Sequence, residues 1–252
     1  LSSSIYIYYS CINFNTKSMS RDIVLKVGGS ILYDHLLNLN FELFKRLKEW
    51  YKENKKEYDH IVFVVGGGGL SRNMEQKVSE TIHNVDSIHE ISMSITQTNA
   101  VIFSSYLEDK DIFVPKTLGD AYEFLHKEGK GCMVSGGQKV GWSTDMDAAV
   151  FADALTLDRV FKVSNVDYIY DKDPKEFFDA KPIKDMTWKE YFKMFSISPD
   201  DENTPNAHIP VDAKCSIFCE KKNIAFHVTG GKLLYEIESI AEILQKGTFI
   251  HS

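Results

Sequence analysis

One stretch decides how this chain folds: Ile61-Val62-Phe63-Val64-Val65-Gly66-Gly67-Gly68-Gly69. Its first part is continuously apolar and mostly β-branched, as expected for a strand that is covered on both faces of a sheet. The glycines that follow permit a tight turn and let the backbone approach a bound group closely. The pattern therefore predicts a buried parallel strand that ends in a glycine-rich turn.

Two other parts of the chain repeat this combination. The predicted strand 23–27 ends at Gly28-Gly29-Ser30, and the predicted strand 132–134 is followed by Gly136-Gly137. Because the carboxyl ends of parallel strands meet at one edge of an open α/β sheet, we expect all three turns at that edge, where ligands bind. Backbone N–H groups at such turns suit the oxygen atoms of a phosphate. Together the turns predict a polyphosphate site.

The rest of the pattern alternates short β-rich runs with longer amphipathic runs, which is typical of β-α-β units around a mostly parallel sheet. Further strands are predicted at 112–114, 160–163 and 224–228. Helices are predicted from Phe41, with Asn40 as the N-cap, and at 118–126, 145–155, 187–195 and 212–222. With 252 residues, of which 43% are hydrophobic, the chain is long enough for one large α/β domain.

Composition limits the partners and the compartment. The formal net charge of −7 argues against nucleic acid and against an anionic membrane surface, because such partners select basic surfaces. No stretch has the roughly 18 apolar residues that a membrane span needs. The 4 cysteines form no CxxC pair, and Cys215 and Cys219 are spaced as on one helix face. We expect buried free thiols and a reducing, cytoplasmic location.

The start of the chain differs from the rest. The aromatic run 5–9 has no basic residue ahead of it, so it lacks the pattern of a signal peptide. Met19 stands just ahead of the first strand pattern. We expect residues 1–18 to be a non-native start or a disordered tail, and residues 19–252 to form a single domain.

Two familiar nucleotide-binding motifs are absent from the sequence. The chain has no GxxxxGK[ST] pattern, so the machinery of the P-loop kinases is missing. The glycine run at 66–69 does not match the GxGxxG pattern of Rossmann dehydrogenases, because Ser71 stands where the last glycine belongs. Both classes of protein therefore lose support.

Polar residues beside the turns indicate phosphate chemistry. Lys26 lies one residue before the end of the first strand, where its ammonium group can reach a phosphate held by the following turn. Phosphoryl transfer needs positive charge on the transferred group more than covalent chemistry. Ser143 or Thr144 is placed to cap the next helix, and the acidic turn 167–173 suits a Mg²⁺ ion or a ribose. Each feature alone has an ordinary structural explanation, and the combination favours a nucleotide phosphotransferase.

Four ordered blocks resemble the amino-acid-kinase family and, within it, the archaeal-like uridylate (UMP) kinase branch. They are Leu25 to Ser30, Val65 to Arg72, Gly136 to Asp145, and Ser164 to Pro174. The resemblance implies a three-layer αβα sandwich with a mostly parallel central sheet. It implies direct in-line transfer of the γ-phosphate of ATP to the phosphate of UMP, a step of pyrimidine nucleotide biosynthesis. It also implies a homo-oligomer, which is hexameric in uridylate kinases.

The resemblance assigns roles to individual residues by position. It implies an ATP site made of Lys26, Gly28, Gly29, Gly68, Arg72, Ser164, Tyr170 and Asp173. It implies an acceptor site made of Gly67, His89, Gly137, Ser143 and Thr144. It implies catalytic roles for Lys26, Asp145 and Arg72, and a further acidic position near the nucleotide at Asp212. Mg²⁺ is expected to bind mainly through the phosphates of ATP rather than through protein ligands.

Some positions bear on the choice of acceptor. His89 stands where uridylate kinases carry an aspartate that binds the acceptor ribose, and Tyr168 replaces the usual glycine after Asn-Val-Asp. No histidine occurs between residues 70 and 82, where isopentenyl phosphate kinases carry one. A UMP kinase is thus the leading interpretation. Two alternatives stay open: a kinase of another small phosphorylated acceptor, and a non-catalytic nucleotide-binding or storage protein.

Overall fold

The computed structural model of the protein describes residues 21–127, 129–198 and 209–252. The segment 1–18 and the expected domain start at Met19 lie outside these residues. Within them, none of the helices has both the length and the apolar character needed to cross a membrane.

The described residues form a central sheet and a small separate ribbon. The strands are β1 (Ile23–Val27), β2 (His60–Val65), β3 (Gly131–Ser135), β4 (Arg159–Ser164), β5 (Ile169–Tyr170), β6 (Pro182–Ile183), β7 (Asp185–Thr187), β8 (Ala225–Gly230) and β9 (Thr248–His251). Seven of them form the sheet, in the order β3-β2-β1-β4-β8-β9-β7, while β5 and β6 pair as an antiparallel ribbon. From β3 to β8 all neighbours are parallel, whereas β9 pairs antiparallel with β8 and parallel with the edge strand β7.

Helices cover both faces of this sheet. They are α1 (Gly29–Leu32), α2 (Phe41–Asn54), α3 (Gly68–Ser79), α4 (Val85–Leu107), α5 (Leu118–His126), α6 (Thr144–Ala154), α7 (Trp188–Phe195), α8 (Ala213–Lys222), α9 (Leu233–Glu236) and α10 (Ile240–Ile243). Alternate strand residues point to opposite faces. Val24 and Val62 therefore pack in one core with α5, α6 and α8, whereas Leu25 and Phe63 pack in a second core with α2 and α4. This arrangement confirms the predicted three-layer αβα sandwich with a mostly parallel sheet.

Most predicted elements are found, and one is wrong. The helix 118–126 has the predicted bounds, and Asn40 caps α2 by accepting a hydrogen bond from the backbone N–H of Leu43. The strand predicted at 112–114 does not form: Phe113 makes only an isolated parallel bridge to Met133. Pro115 follows at once and has no N–H with which to continue a ladder. The described cysteines Cys132, Cys215 and Cys219 are buried free thiols, as their spacing predicts.

The first two glycine turns are in direct backbone contact. A Cβ atom on Gly29 would lie 2.0 Å from the backbone nitrogen of Gly68, and one on Gly68 would lie 2.1 Å from the carbonyl oxygen of Gly29. Gly68 also has a φ of +66°, which disfavours residues with a side chain. Glycine at these positions therefore allows the ends of β1 and β2 to meet closely enough to form one surface.

We expect Gly29→Ala to lower the free energy of unfolding by about 1–3 kcal/mol, because the added methyl group forces two backbone segments apart. Urea denaturation of the purified chain measures this change. Gly119→Ala is the matched control, since Gly119 lies in the first turn of helix α5 and a Cβ there would lie 3.6 Å from its nearest neighbour. That control should be neutral or more stable by up to about 1 kcal/mol. Equal stability of both variants would show that the Gly29 contact is not close.

Candidate active site

Two lysines and one aspartate form a buried charge cluster at the carboxyl edge of the sheet. Lys26 on β1 and Lys162 on β4 are directly paired in the parallel register. The Lys26 ammonium lies 3.0 Å from one oxygen of Asp145, and the Lys162 ammonium lies 2.5 Å from the other. All three side chains are less than a tenth exposed. The carboxylate of Asp145, in the first turn of α6, therefore binds both lysines.

Burial and charge act against each other in this cluster. Burial lowers the pKa of Lys26, and nearby Lys162 lowers it further, whereas Asp145 raises it. Burial by itself would raise the pKa of Asp145, but the two lysines together bring it below its ordinary value. The cluster therefore holds an ionised carboxylate that both lysine side chains contact.

Two helix caps place the cluster. Ser143 caps α6 by accepting a hydrogen bond from the N–H of Met146, and its hydroxyl donates to the carboxylate of Asp212. Asp212 in turn caps α8, where it accepts from the N–H of Cys215. Burial, and then the charge of Asp145, raise the pKa of Asp212. The first turns of α6 and α8 are thus linked beside the charge cluster.

Sequence reasoning missed Lys162, although a signal was present. The residue interrupts an apolar strand, Val160-Phe161-Lys162-Val163, in the same way that Lys26 interrupts β1. Lysine is almost never fully buried unless it is paired. A lysine inside each of two buried strands therefore indicates a shared acidic partner.

The residues expected to hold phosphates lie around the glycine turns. Arg72 is exposed on the first turns of α3 and lines a cleft of about 260 Å³ with Ser30 and Asp34. Gly67 is the N-cap of α3, and Gly28 packs against Val163 and Ser164 at the end of β4. Gly28, Gly29, Gly67 and Gly68 therefore lie at adjoining strand ends, and Arg72 lines the cleft beside them together with Ser30 and Gly69 of the same two turns.

The residues expected in the acceptor site lie on three elements. Thr144 begins α6, and its hydroxyl oxygen lies 3.5 Å from where a Cβ of Gly66 would stand. The N–H of Gly137 donates to the hydroxyl of Thr96 on α4 at 2.7 Å. His89 is half-buried on the same helix, seven residues before Thr96, a spacing that puts both side chains on one helix face. The structure therefore brings Gly137 and Thr144 close to the turn that contains Gly66 and Gly67. His89 lies about 10 Å from Thr96 along the axis of α4.

The residues expected to hold the ATP nucleoside are only partly brought together. Ser164 is buried at the end of β4, beside Gly28. The Tyr170 hydroxyl donates to Asp167 at 3.1 Å, and burial raises its pKa to about 12. Asp173 is exposed, and its carboxylate accepts from the backbone N–H of Lys175 within the same turn. The hydrogen bond of Asp173 thus organises a surface turn and does not reach the charge cluster.

A second buried carboxylate, Asp147, is also absent from the residues that sequence reasoning selected. One of its oxygens accepts a hydrogen bond from the N–H of Gln138 at 3.3 Å, and the other has no partner among the described residues. The side chain is completely buried. Burial, reinforced by the charge of Asp212, raises the pKa of Asp147 to about 8. Asp147 therefore carries a proton at neutral pH and packs beneath the turn that contains Gly137.

This protonation predicts a pH dependence of stability. The folded chain keeps the proton up to a pKa of about 8, whereas the unfolded chain releases it near 3.8. The protonated Asp147 therefore stabilises the folded chain fully below the pKa of the unfolded chain, near 3.8. This stabilisation is lost as pH rises through the pKa of the folded chain, about 8. Asparagine has no such proton to lose. We expect the Tm of Asp147→Asn, relative to the parent chain, to rise by about 4 °C or more between pH 5 and pH 9.

Differential scanning fluorimetry over that pH range tests the expectation. Asp153→Asn, on the same helix, is the matched control, because Asp153 lies at the surface in an ion pair with Lys222. Its difference from the parent should change little with pH. A Tm difference for Asp147→Asn that does not vary with pH would contradict the assignment of a protonated carboxyl.

The chain is similar to several proteins that are named uridylate kinase. The uridylate kinase of Thermococcus kodakarensis is 29% identical over 230 residues, which cover 90% of this chain and 98% of that protein. The uridylate kinase of Methanobrevibacter smithii is 33% identical over 69% of this chain and 75% of its own length. The crystal structure of uridylate kinase from Archaeoglobus fulgidus superposes with a TM-score of 0.71 at 23% identity, covering 90% of this chain and 99% of that chain. The last likeness shows the fold.

A family model ties these similarities together. The model described as the amino acid kinase family matches residues 22–230, which include all three glycine turns, both buried lysines and Asp145. The match covers most of the chain, and the sandwich found in the structure is also the fold of the solved uridylate kinase. This chain belongs to the amino acid kinase family.

Proposed function

We propose that this chain transfers the γ-phosphate of ATP to the phosphate of UMP, giving ADP and UDP. The observation that carries the proposal is the pair of lysines held by one carboxylate beneath the glycine turns. Support for the acceptor comes from the relatives, which are named uridylate kinase. The same site also supports the assigned roles of Lys26 and Asp145.

The charge cluster suits the demands of phosphoryl transfer. In the transition state negative charge spreads over the oxygens of the moving phosphoryl group, and catalysis consists mainly of positioning and charge stabilisation. Lys26 and Lys162 supply two ammonium groups whose positions are set in advance by Asp145. Such preorganised charges are worth more in a buried site than in water. Bound phosphates would in turn favour the charged form of Lys26.

The acceptor side needs a group that recognises a second phosphate. Arg72 borders the glycine turns and presents a planar guanidinium group, which can donate two parallel hydrogen bonds to phosphate oxygens. Gly67, Gly137, Ser143 and Thr144 form the surroundings that we assign to the acceptor. His89 would contact the ribose through its ring nitrogens, as a hydrogen-bonding substitute for a carboxylate.

Among the residues that the structure describes, the side chains do not form a Mg²⁺ site of their own. Each oxygen of Asp145 is already in an ion pair with a lysine. Within the described ranges, no group of three or more His, Cys, Asp and Glu side chains is arranged to hold a metal ion. We therefore propose that Mg²⁺ arrives on the phosphates of ATP, and we assign no step of the reaction to it. Homo-oligomer formation and the cytoplasmic location stay predictions.

The acceptor is tested directly by measuring ADP release with UMP, CMP, AMP and isopentenyl phosphate offered in parallel. We expect UMP to give the highest kcat/KM, because all the residues assigned to the acceptor site except His89 match the uridylate kinase pattern. A clear preference for another acceptor would support the alternative kinase of a small phosphorylated compound. ATP binding without ADP release for any acceptor would favour the non-catalytic alternative.

The two lysines are tested by substitution with methionine, which keeps most of the side-chain volume. We expect Lys26→Met and Lys162→Met each to lower kcat by about 10²–10³-fold, the loss typical when one preorganised electrostatic contact is removed. The fold should persist, because the remaining lysine still compensates Asp145. Circular dichroism checks the fold, and the ADP-release assay measures kcat.

Lys222→Met is the matched control for these variants. Lys222 is a half-exposed lysine whose ion pair with Asp153 lies at the surface, away from the charge cluster. Its kcat should stay within about twofold of the parent, since exposed ion pairs contribute little. Parent-like turnover by Lys26→Met would remove Lys26 from the mechanism.

A further inference from the structure

One turn of helix α4 contacts two of the three glycine turns. Thr96 accepts a hydrogen bond from the N–H of Gly137 at 2.7 Å, and Gln97 donates from its side-chain amide to the carbonyl of Gly137 at 3.0 Å. Asn99 donates to the carbonyl of Gly66 at 2.8 Å and to that of Gly67 at 3.3 Å. Side chains that are close neighbours on one helix thus hold the turns after β2 and β3.

Asn99 also contacts the segment that follows the first glycine turn. The hydroxyl of Tyr33, which follows α1, donates to the side-chain oxygen of Asn99 at 2.5 Å. Asn99 is 2% exposed, so both ends of its amide are used inside the protein. The amide therefore joins the segment after β1 to the segment after β2.

The backbone of α4 itself approaches the third turn very closely. A Cβ on Gly136 would lie 2.5 Å from the backbone of Thr96 and Gln97. A Cβ on Gly67 would lie 3.3 Å from the methyl group of Thr96. With so little free space, a shift of this helix turn moves Gly67 and Gly137 together.

These contacts fix the positions of the glycine turns and bring no charge to the site. Thr96, Gln97 and Asn99 are uncharged, and each makes a hydrogen bond to a backbone group of a glycine turn. The Thr96 hydroxyl also donates to the carbonyl of Met93 within the helix. In the proposed reaction, Gly67 and Gly137 both belong to the acceptor site, and Gly67 directly precedes the phosphate-binding Gly68. Transfer in line requires the two phosphates to keep a fixed separation and angle.

We infer that Thr96, Gln97 and Asn99 are positioning residues, which set the separation of the second and third glycine turns and so align the acceptor phosphate with the donor. This inference rests on the proposed transfer to UMP. It adds a role for helix α4 that charge and glycine content alone do not indicate.

Steady-state kinetics of the full chain with ATP and UMP test the inference. Thr96→Val removes the hydroxyl but keeps the shape of the side chain. We expect it to raise the KM for UMP and to lower kcat by about 10–100-fold, because misplacement of a reacting group by about 1 Å costs that much. The KM for ATP should stay within about twofold. Thr96→Ser restores the hydroxyl and should recover most of the activity.

Thr98→Val is the matched control on the same helix. The Thr98 hydroxyl donates to the carbonyl of Ser94 within the helix, but the side chain is exposed and does not face a glycine turn. Its KM for UMP and its kcat should match those of the parent. Gln97→Met provides a second variant, which removes only the bond to Gly137 at a half-buried position and decides the matter if Thr96→Val does not fold.

The outcomes separate the two levels of the proposal. If the parent chain does not phosphorylate UMP, the proposed function and this inference fail together. If the parent is active and both Thr96→Val and Gln97→Met keep its kcat and its KM for UMP, only the positioning role is overturned. A lower Tm with kcat and the KM for UMP both unchanged would likewise overturn it, because that is the signature of a merely structural contact.

Discussion

Two ammonium groups that share one carboxylate inside the protein set the conditions for the rest of the site. Lys26 and Lys162 lie on adjacent strands and would repel each other without Asp145 between them. Removing Asp145 would leave two buried ammonium groups without their counter-charge, which costs several kcal/mol. The caps at Ser143 and Asp212 matter for this reason, since they hold the first turn of α6 where Asp145 meets both lysines.

The ammonium groups of Lys26 and Lys162 must also lie close to the bound phosphates. This requires the backbones of the glycine turns to approach one another closely. The turns after β1 and β2 touch through Gly29 and Gly68, where a side chain would force them apart. Helix α4 then joins the turn after β3 to the turn after β2. The charge cluster, the contact between the glycine turns and helix α4 thus all lie at one edge of the sheet. None of the three alone defines the site that we propose.

The sequence predicted the parts of this site that follow from local chemistry. Strand 23–27, the glycine turns and the cap at Ser143 each follow from neighbouring residues, and the family pattern added Asp145. Lys162 was missed because its meaning depends on strand order, which places β4 beside β1. Helix α4 was missed because Ser, Thr, Gln and Asn dilute its apolar spacing. The contacts that Thr96, Gln97 and Asn99 make with the turns depend on the folded chain, so the local sequence does not indicate them.

The pairing of β1 with β4 also bears on how the protein reaches its native state. Lys26 and Lys162 are far apart in the sequence, yet they are partners across β1 and β4. Bringing such distant parts of a chain together carries an entropic cost of loop closure before the contact rewards it. A molecule in which β1 and β4 are not paired lacks the second lysine beside the first. The charge cluster is therefore a property of the assembled sheet and of neither strand by itself.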